Sequence, residues 1–220
     1  AGGLATNLGQ SVSFFSEDLR NPYMQRWQFA VQRALPGNSV LEVSYVGNRG
    51  TGLRIGKDLN PVPRQYMSTS PVRDQAAINF LSQAVSNPFY PMLPKTGLSG
   101  QTVSRSQLLR PYPHFTGVST QINQGYSWYP SMQVRFEKRF SRGFSATLSH
   151  TWAKMMEARS FLNATDPMPE EVISDEDRPH RTAVTAIYEL PFGRGKLWGS
   201  DVNRAVSAII SGWQIQGIYA

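Results

Sequence analysis

The chain has 220 residues and a formal net charge of +7, with no cysteine, 40% hydrophobic residues and only 17% charged ones. The length holds one large domain or two small ones. The cysteine count excludes a disulfide framework, a cysteine zinc site and a cysteine nucleophile, and the scattering of Lys and Arg argues against a nucleic-acid partner.

Taken in chain order, the first element is a short strand at "QSVSFFS". Next, in "PYMQRWQFAVQRALPGNSVLEVSYVG", Trp27, Phe29 and Val31 alternate with Gln28, Ala30 and Gln32. Period-two alternation marks a strand with one dry and one wet face. Leu35–Ser39 supplies Pro, Gly and Asn for a tight turn, and the return strand sets Leu41, Val43 and Tyr45 against Glu42 and Ser44. A long polar connection, about Gly47–Ser127, follows. Within it, Ile78, Phe80, Leu81 and Val85 have the spacing of a short amphipathic helix between Pro71 and Pro88. That helix either docks over a barrel mouth or simply packs within its loop.

The strongest hairpin is "YPSMQVRFEKRFSRGFSATLSHTW". Met132, Val134 and Phe136 alternate with Gln133, Arg135, Glu137 and Arg139. After a short break at Ser141–Gly143, Phe144, Ala146, Leu148 and His150 alternate with small polar residues. A second long connection, about Ala153–Pro179, leads to a strand with Val184, Ala186, Tyr188 and Leu190 on one face. The turn Pro191–Gly199 then precedes "GWQIQGIYA", where Trp213, Ile215 and Tyr219 alternate with Gln214 and Gln216.

These segments predict an all-β fold: an antiparallel meander of about seven strands, part of a transmembrane β-barrel with long extracellular loops. Short turns alternate with long connections, as in outer-membrane barrels, and sparse charge suits a wall with a polar lumen and an apolar exterior. Tyr23, Trp27, Tyr45, Trp128, Tyr129, Phe140, Phe144, Trp152, Phe192 and Trp213 fall near predicted strand ends, as interfacial girdles require. On this reading Gln133, Arg135, Glu137 and Arg139 face the lumen, while Met132, Val134, Phe136 and Leu148 face lipid. No apolar run reaches the ~20 residues of a spanning helix. The first ten residues have neither the basic start nor the apolar core of a signal peptide, so an exported protein is expected to begin upstream of them.

Three stretches carry a family resemblance: "NPYMQRWQFAVQRALPGNSVLEVSYVGNRGTGL", "YPSMQVRFEKRFSRGFSATLSHTWAK" and "DRPHRTAVTAIYELPFGRGK" with its following "GWQIQGI". In combination they resemble barrel segments of TonB-dependent outer-membrane receptors, in particular the Oar-like group with a carboxypeptidase-regulatory-like domain. The chain departs from the family pattern at His150, Ala153 and Pro179. The resemblance implies a closed barrel of about 22 strands with a plugged lumen. It implies that these 220 residues are an internal, partial barrel domain without the plug or N-terminal domain. It also implies a Gram-negative outer-membrane location, with outer-membrane lipid and lipopolysaccharide, the remaining barrel and plug, and the TonB complex (through parts outside this chain) as partners. The implied activity is binding and import of a solute, without cofactor or catalysis. Two further readings are a surface structural or adhesive barrel whose loops hold partner proteins, and a soluble extracellular β-domain that binds glycan.

Candidate site residues lie in the connections. Gly47–Ser127 carries eight basic and two acidic residues, and Ala153–His180 three basic and seven acidic. Either the two loops meet, or the basic one meets anionic lipopolysaccharide or another anionic ligand, or both are solvated loops without fixed partners. Arg105, Arg110, Tyr112 and His114 are the ligand candidates. Glu170, Glu171, Asp175, Glu176 and Asp177 are calcium candidates by oxygen count alone, without the spacing of an EF-hand loop. Asp177, Arg178, His180 and Arg181 are expected to form a rim cluster of ion pairs and hydrogen bonds. Nothing points to catalysis: three His without partners at metal spacing, no serine in a nucleophile elbow, and a "GRG" at Gly193–Gly195 that reads as a turn.

Overall fold

The computed structural model describes residue 3 and residues 6–220. In chain order its elements begin with β1 (Ser11–Phe15), β2 (Tyr23–Leu35) and β3 (Ser39–Asp58). The first long connection holds α1 (Gln75–Ser82), β4 (Ala84–Ser86), β5 (Thr102–Ser104) and α2 (Arg105–Leu108). Then come β6 (Gly117–Ser141), β7 (Phe144–Ala153), β8 (Met156–Ala158), β9 (Val172–Ile173) and β10 (His180–Glu189). The last two are α3 (Arg204–Ile210) and β11 (Gln214–Tyr219). All seven strands expected from alternation are present, and the four additional ones are only two or three residues long.

The main sheet has nine strands among the described residues, six of them in the order β11-β10-β7-β6-β3-β2, a meander whose β3–β6 and β7–β10 pairings span the two connections that hold β4, β5, β8 and β9. Its hairpins follow from local chemistry. Arg142 and Gly143 both have positive φ (54° and 78°) between the paired Ser141 and Phe144, which makes a two-residue turn whose twist matches that of the strands. A bulge between Lys138 and Ser141 shifts the register just before it. At the other hairpin Gly37 and Asn38 take the same left-handed conformation (φ 76° and 58°).

The chain divides into two compact units. One comprises Met24–Arg49, Ser127–Glu157 and Val172–Ala220, the other Ala1–Tyr23, Gly50–Tyr126 and Ala158–Glu171. The first holds the six-stranded meander. The second holds the distal parts of β3 and β6, together with β1, the two small helices and the β4-β5 pair. Here β1 pairs with β6 in parallel, Ser11–Phe15 against Gly117–Gln121, so it stands outside the antiparallel meander. β8 also pairs with β6. Together they occupy part of a strand edge that β7, ending opposite Ser131, does not reach.

Several boundaries differ from the sequence expectation. β3 runs on to Asp58 and β6 begins at Gly117, so the first long connection covers only residues 59–116. Both stretches are rich in Gly and polar residues, and pairing between two long strands overrides that weak local preference. Tyr45, Trp128 and Tyr129 consequently lie inside strands rather than at their ends, and Trp27 lies within β2, which begins at Tyr23. α1 starts where expected, with the Asp74 carboxylate accepting from the Ala77 amide at 3.0 Å, but stops at Ser82. Val85 is drawn into β4 opposite Val103 of β5. The connection between β10 and β11 extends over residues 190–213 and contains α3 where a simple turn was expected.

Candidate functional site

Register fixes which side chains share a face, because directly paired residues of antiparallel strands point the same way. On β6 and β7, Met132 pairs with Trp152, Val134 with His150, Phe136 with Leu148 and Lys138 with Ala146. On β7 and β10, Leu148 pairs with Val184, Ala146 with Ala186 and Phe144 with Tyr188. The face continues onto β11 through Val184–Tyr219, Ala186–Gly217 and Tyr188–Ile215. On the other flank, Phe29, Val31, Val43 and Tyr45 line one shallow apolar groove with Met132. One face of the six-stranded meander is therefore apolar over every strand, yet Met132, Leu148, Val31 and Tyr45 remain exposed. No second layer of described residues covers it, unlike the face of a soluble sandwich.

The opposite face collects the polar residues. Gln133 pairs with Thr151, Arg135 with Ser149 and Glu137 with Thr147. Gln32, Glu42, Arg135 and Glu137 line a common groove, and Arg135 is paired with Glu137 at 3.1 Å. Arg139 lies inside the bulge, where the register does not assign it a partner, and lines a groove with residues of both sets, Glu137 and Thr147 as well as Lys138 and Ala146. Thus Gln133, Arg135 and Glu137 stand together, apart from Met132, Val134, Phe136 and Leu148.

Lys138 and His150 are among the side chains of the apolar face with polar atoms to satisfy. Lys138 sends its ammonium to the Gly37 carbonyl and the Ser141 hydroxyl, both at 2.5 Å, at the turn end of the sheet. Its alkyl stem covers the apolar face while the charge leaves it. At the other end, His150 Nδ1 meets the Thr182 hydroxyl at 2.7 Å, and its ring packs edge-on to Trp152 with centroids 4.2 Å apart. Arg33 falls on this face by alternation with Trp27, Phe29 and Val31, again near the turn end; the sequence reading passed over it.

The apolar stretch has a definite length. Phe144 to Trp152 spans eight residue steps, about 26 Å at the usual rise. At the ~40° tilt of barrel strands this becomes roughly 20 Å along the membrane normal, close to the ~25 Å apolar band of outer-membrane barrels. Aromatic residues bracket it, with Phe140, Phe144 and Tyr188 near the turns and Trp152, Tyr45 and Trp27 at the far end. Trp27 lies flat on Gly47, where a Cβ would fall 2.3 Å from the indole, so the glycine is what admits the ring.

The ligand candidates occupy a tightly built loop. Asn60 is completely buried. Its amide donates to the Tyr112 and Phe115 carbonyls at 2.9 and 3.2 Å, and its carbonyl oxygen accepts the Tyr112 amide at 2.8 Å. Gln107 donates to the Pro113 and Phe115 carbonyls, both at 2.8 Å. Asn87 does the same for Leu98 and Gly100, at 2.8 and 2.6 Å. Around this frame Arg105 lies over the Phe80 ring at 4.3 Å, Arg110 donates to the Thr116 carbonyl at 2.5 Å, and His114 contacts both Tyr112 and Phe115. Both arginines contact the loop itself, Arg110 Nε is buried without a hydrogen-bond partner, and Tyr112 is the exposed member of the set. Asn60, Gln107 and Asn87 escaped sequence reading because a buried amide in a polar loop has no periodic signal.

The second connection packs against the extended parts of β3 and β6. Lys57 donates to the Asp166 backbone carbonyl at 3.2 Å and sits 4.4 Å above the Phe161 ring. Tyr126 donates to Glu171 at 2.7 Å. The calcium candidates are not gathered, since among the described residues no three acidic or His side chains stand at metal-holding distance. Asp177 is used locally, accepting the Met155 amide at 2.7 Å. Of the expected rim cluster, Arg178 donates to the backbone carbonyls of Asp175 and Asp177. His180 instead joins His150, with rings 5.8 Å apart, and Arg181 pairs with Thr151 on the polar face.

No described helix is long and apolar enough to cross a membrane, which says nothing of crossing by strands. No curated protein and no solved structure matches the chain at the significance required. A family model described as "Outer membrane beta barrel domain" matches residues 1–220. With its antiparallel sheet and its exposed apolar face of bilayer height, the chain belongs to the outer-membrane β-barrel domain family and is an outer-membrane protein of a Gram-negative bacterium.

Proposed function

We propose that the chain is one arc of a TonB-dependent outer-membrane receptor that binds and imports a solute. The observation that carries this reading is the six-stranded meander with two unpaired edges, β2 and β11. Bacterial outer-membrane barrels have at least ~8 strands, and an open strand edge in lipid leaves backbone groups unsatisfied at several kcal/mol each. Further strands must complete the wall, and the segment motifs resemble those of the large receptor barrels. In this reading Met132, Val134, Phe136 and Leu148 face lipid, and Gln133, Arg135, Glu137 and Arg139 face a lumen occupied by a plug. β6 supports a large barrel too: its 25 residues far exceed the ~9–11 that a tilted strand needs to cross.

A structural or adhesive barrel is the second reading. It is favoured by exposed apolar side chains on the first connection, notably Val72, Tyr90 and Met92. One experiment separates the two. The native polypeptide is extracted from outer membranes, its intact mass is measured, and site-specific cross-linking to TonB is tested in energised cells. A mass several times 24.6 kDa with a TonB adduct supports the receptor. A large mass without an adduct favours adhesion, and a mass near 24.6 kDa removes the arc reading.

A further inference from the structure

The connection between β10 and β11 is folded, basic and conspicuously apolar on its surface. Phe192 and Trp198 form a bridge and stack with centroids 5.2 Å apart, and the Trp198 amide donates to the Pro191 carbonyl at 3.0 Å. Asn203 caps α3 by accepting the Val206 amide at 2.9 Å. The helix is tied back by the Arg194 amide to the Ser207 hydroxyl at 3.3 Å. Despite this compactness, Leu197 is 84% exposed, Trp198 60%, Ile209 71% and Trp213 62%. Among described residues nothing covers them. Residues 190–213 also hold three basic residues and one acidic.

The position of this patch is set by the sheet. The Leu190 amide donates to the Trp213 carbonyl at 2.8 Å, extending the β10–β11 register by one pair beyond Glu189–Gln214. By alternation Leu190 and Trp213 continue the apolar face of Tyr188 and Ile215. The Trp213 indole N–H then donates to the Ile209 carbonyl at 2.8 Å, fastening the end of α3 to that face. The exposed side chains are thus continuous with the surface assigned to lipid, at its short-turn end.

We propose that α3 and the Leu197–Trp198 segment form a non-spanning anchor that lies in the phospholipid headgroup region of the leaflet at the short-turn end. Tryptophan and aliphatic side chains beside basic residues suit that layer, where apolar groups enter the acyl boundary and cations meet phosphate. The inference rests on the lipid assignment made above.

The 220 residues contain no cysteine, so a label introduced among them is single once any cysteine elsewhere in the polypeptide has been replaced by serine. The full native polypeptide carrying Ile209→Cys, Ile215→Cys or Gln216→Cys is labelled with a bimane and refolded into phosphatidylethanolamine–phosphatidylglycerol vesicles. These contain lipids brominated at graded acyl depths, and aqueous iodide is the second quencher. The expected result is a label at Ile209→Cys quenched by shallow bromines, ~5–10 Å into the interface. Ile215→Cys should be quenched by deeper bromines, and Gln216→Cys by iodide alone. A label at Ile209→Cys that responds like Gln216→Cys overturns the anchor, and so does one shielded from both quenchers, which would mean protein covers it. If Ile215→Cys itself escapes the bromines, the lipid assignment falls, and the anchor with it.

Discussion

Replacing Asn60 by Ala should release the loop that presents Tyr112 and His114. The side chain makes three hydrogen bonds to the backbone of Tyr112 and Phe115 from a fully buried position. Their removal strands two carbonyls and one amide. An unmet buried partner costs about 1–3 kcal/mol, and taking the low value for each, because Tyr112 is half exposed and water can reach it, gives about 3 kcal/mol. At 1.4 kcal/mol per factor of ten, that corresponds to about a hundredfold more frequent opening of the loop. Amide hydrogen exchange reads this directly, because the Tyr112 amide is held by the Asn60 oxygen. Its protection should fall about a hundredfold in Asn60→Ala, while amides of β7 and β10 stay unchanged. Unaltered protection at Tyr112 would refute the view that one buried amide frames the loop.

Leu148→Arg puts a charge on the apolar face and should destabilise the bilayer-inserted protein by about 2–4 kcal/mol, whereas Thr147→Arg on the polar face should cost far less; urea unfolding in vesicles measures both. Gly47→Ala would place a Cβ within 2.5 Å of the Trp27 indole, so Trp27 must leave its seat, seen as a change in tryptophan emission at that site. The Ala77 amide and, next, the Ser68 hydroxyl hold the Asp74 carboxyl below its usual range. Stability from this depressed group is therefore present above the ordinary carboxylate range and lost as pH falls through the lowered value. Exchange protection of α1 should fall in acid, and Asp74→Asn should make it independent of pH there; identical pH profiles would remove the cap as the cause.

The faces of the sheet were readable from sequence because a one-residue slip would reverse every side chain, so alternation and register carry the same information. Met132 through Phe136 against Gln133 through Glu137 is the clear case, and the register carries the same alternation onto β7 and β10. Strand length was not readable in the same way. Residues 47–58 and 117–127 contain Gly, Asn, Thr and Ser, which suit loops locally and become strand only because two long segments find each other. α3 hid behind the Gly/Pro-rich start of its connection, although Asn203 ahead of "RAVSAII" is a recognisable cap. The loop residues chosen for their chemistry, Arg105 and Arg110, also make contacts within the loop, to the Phe80 ring and the Thr116 carbonyl. Net charge counts the cations but not the carbonyls and rings that occupy them. The acidic run 170–177 failed as a cluster for a similar reason, since Asp177 and Glu171 are each engaged separately.

The central claim is that the six-stranded meander is a membrane wall, dry on one side and wet on the other. A cysteine scan along β7 in the native protein in outer membranes tests it most directly. Labels at Phe144, Ala146, Leu148 and Trp152 should contact lipid-borne quenchers, and labels at Ser145, Thr147, Ser149 and Thr151 should react with water-soluble thiol reagents. Strict alternation over the whole strand is the predicted result. Equal access of water to both sets, or no lipid contact at Leu148, would contradict it.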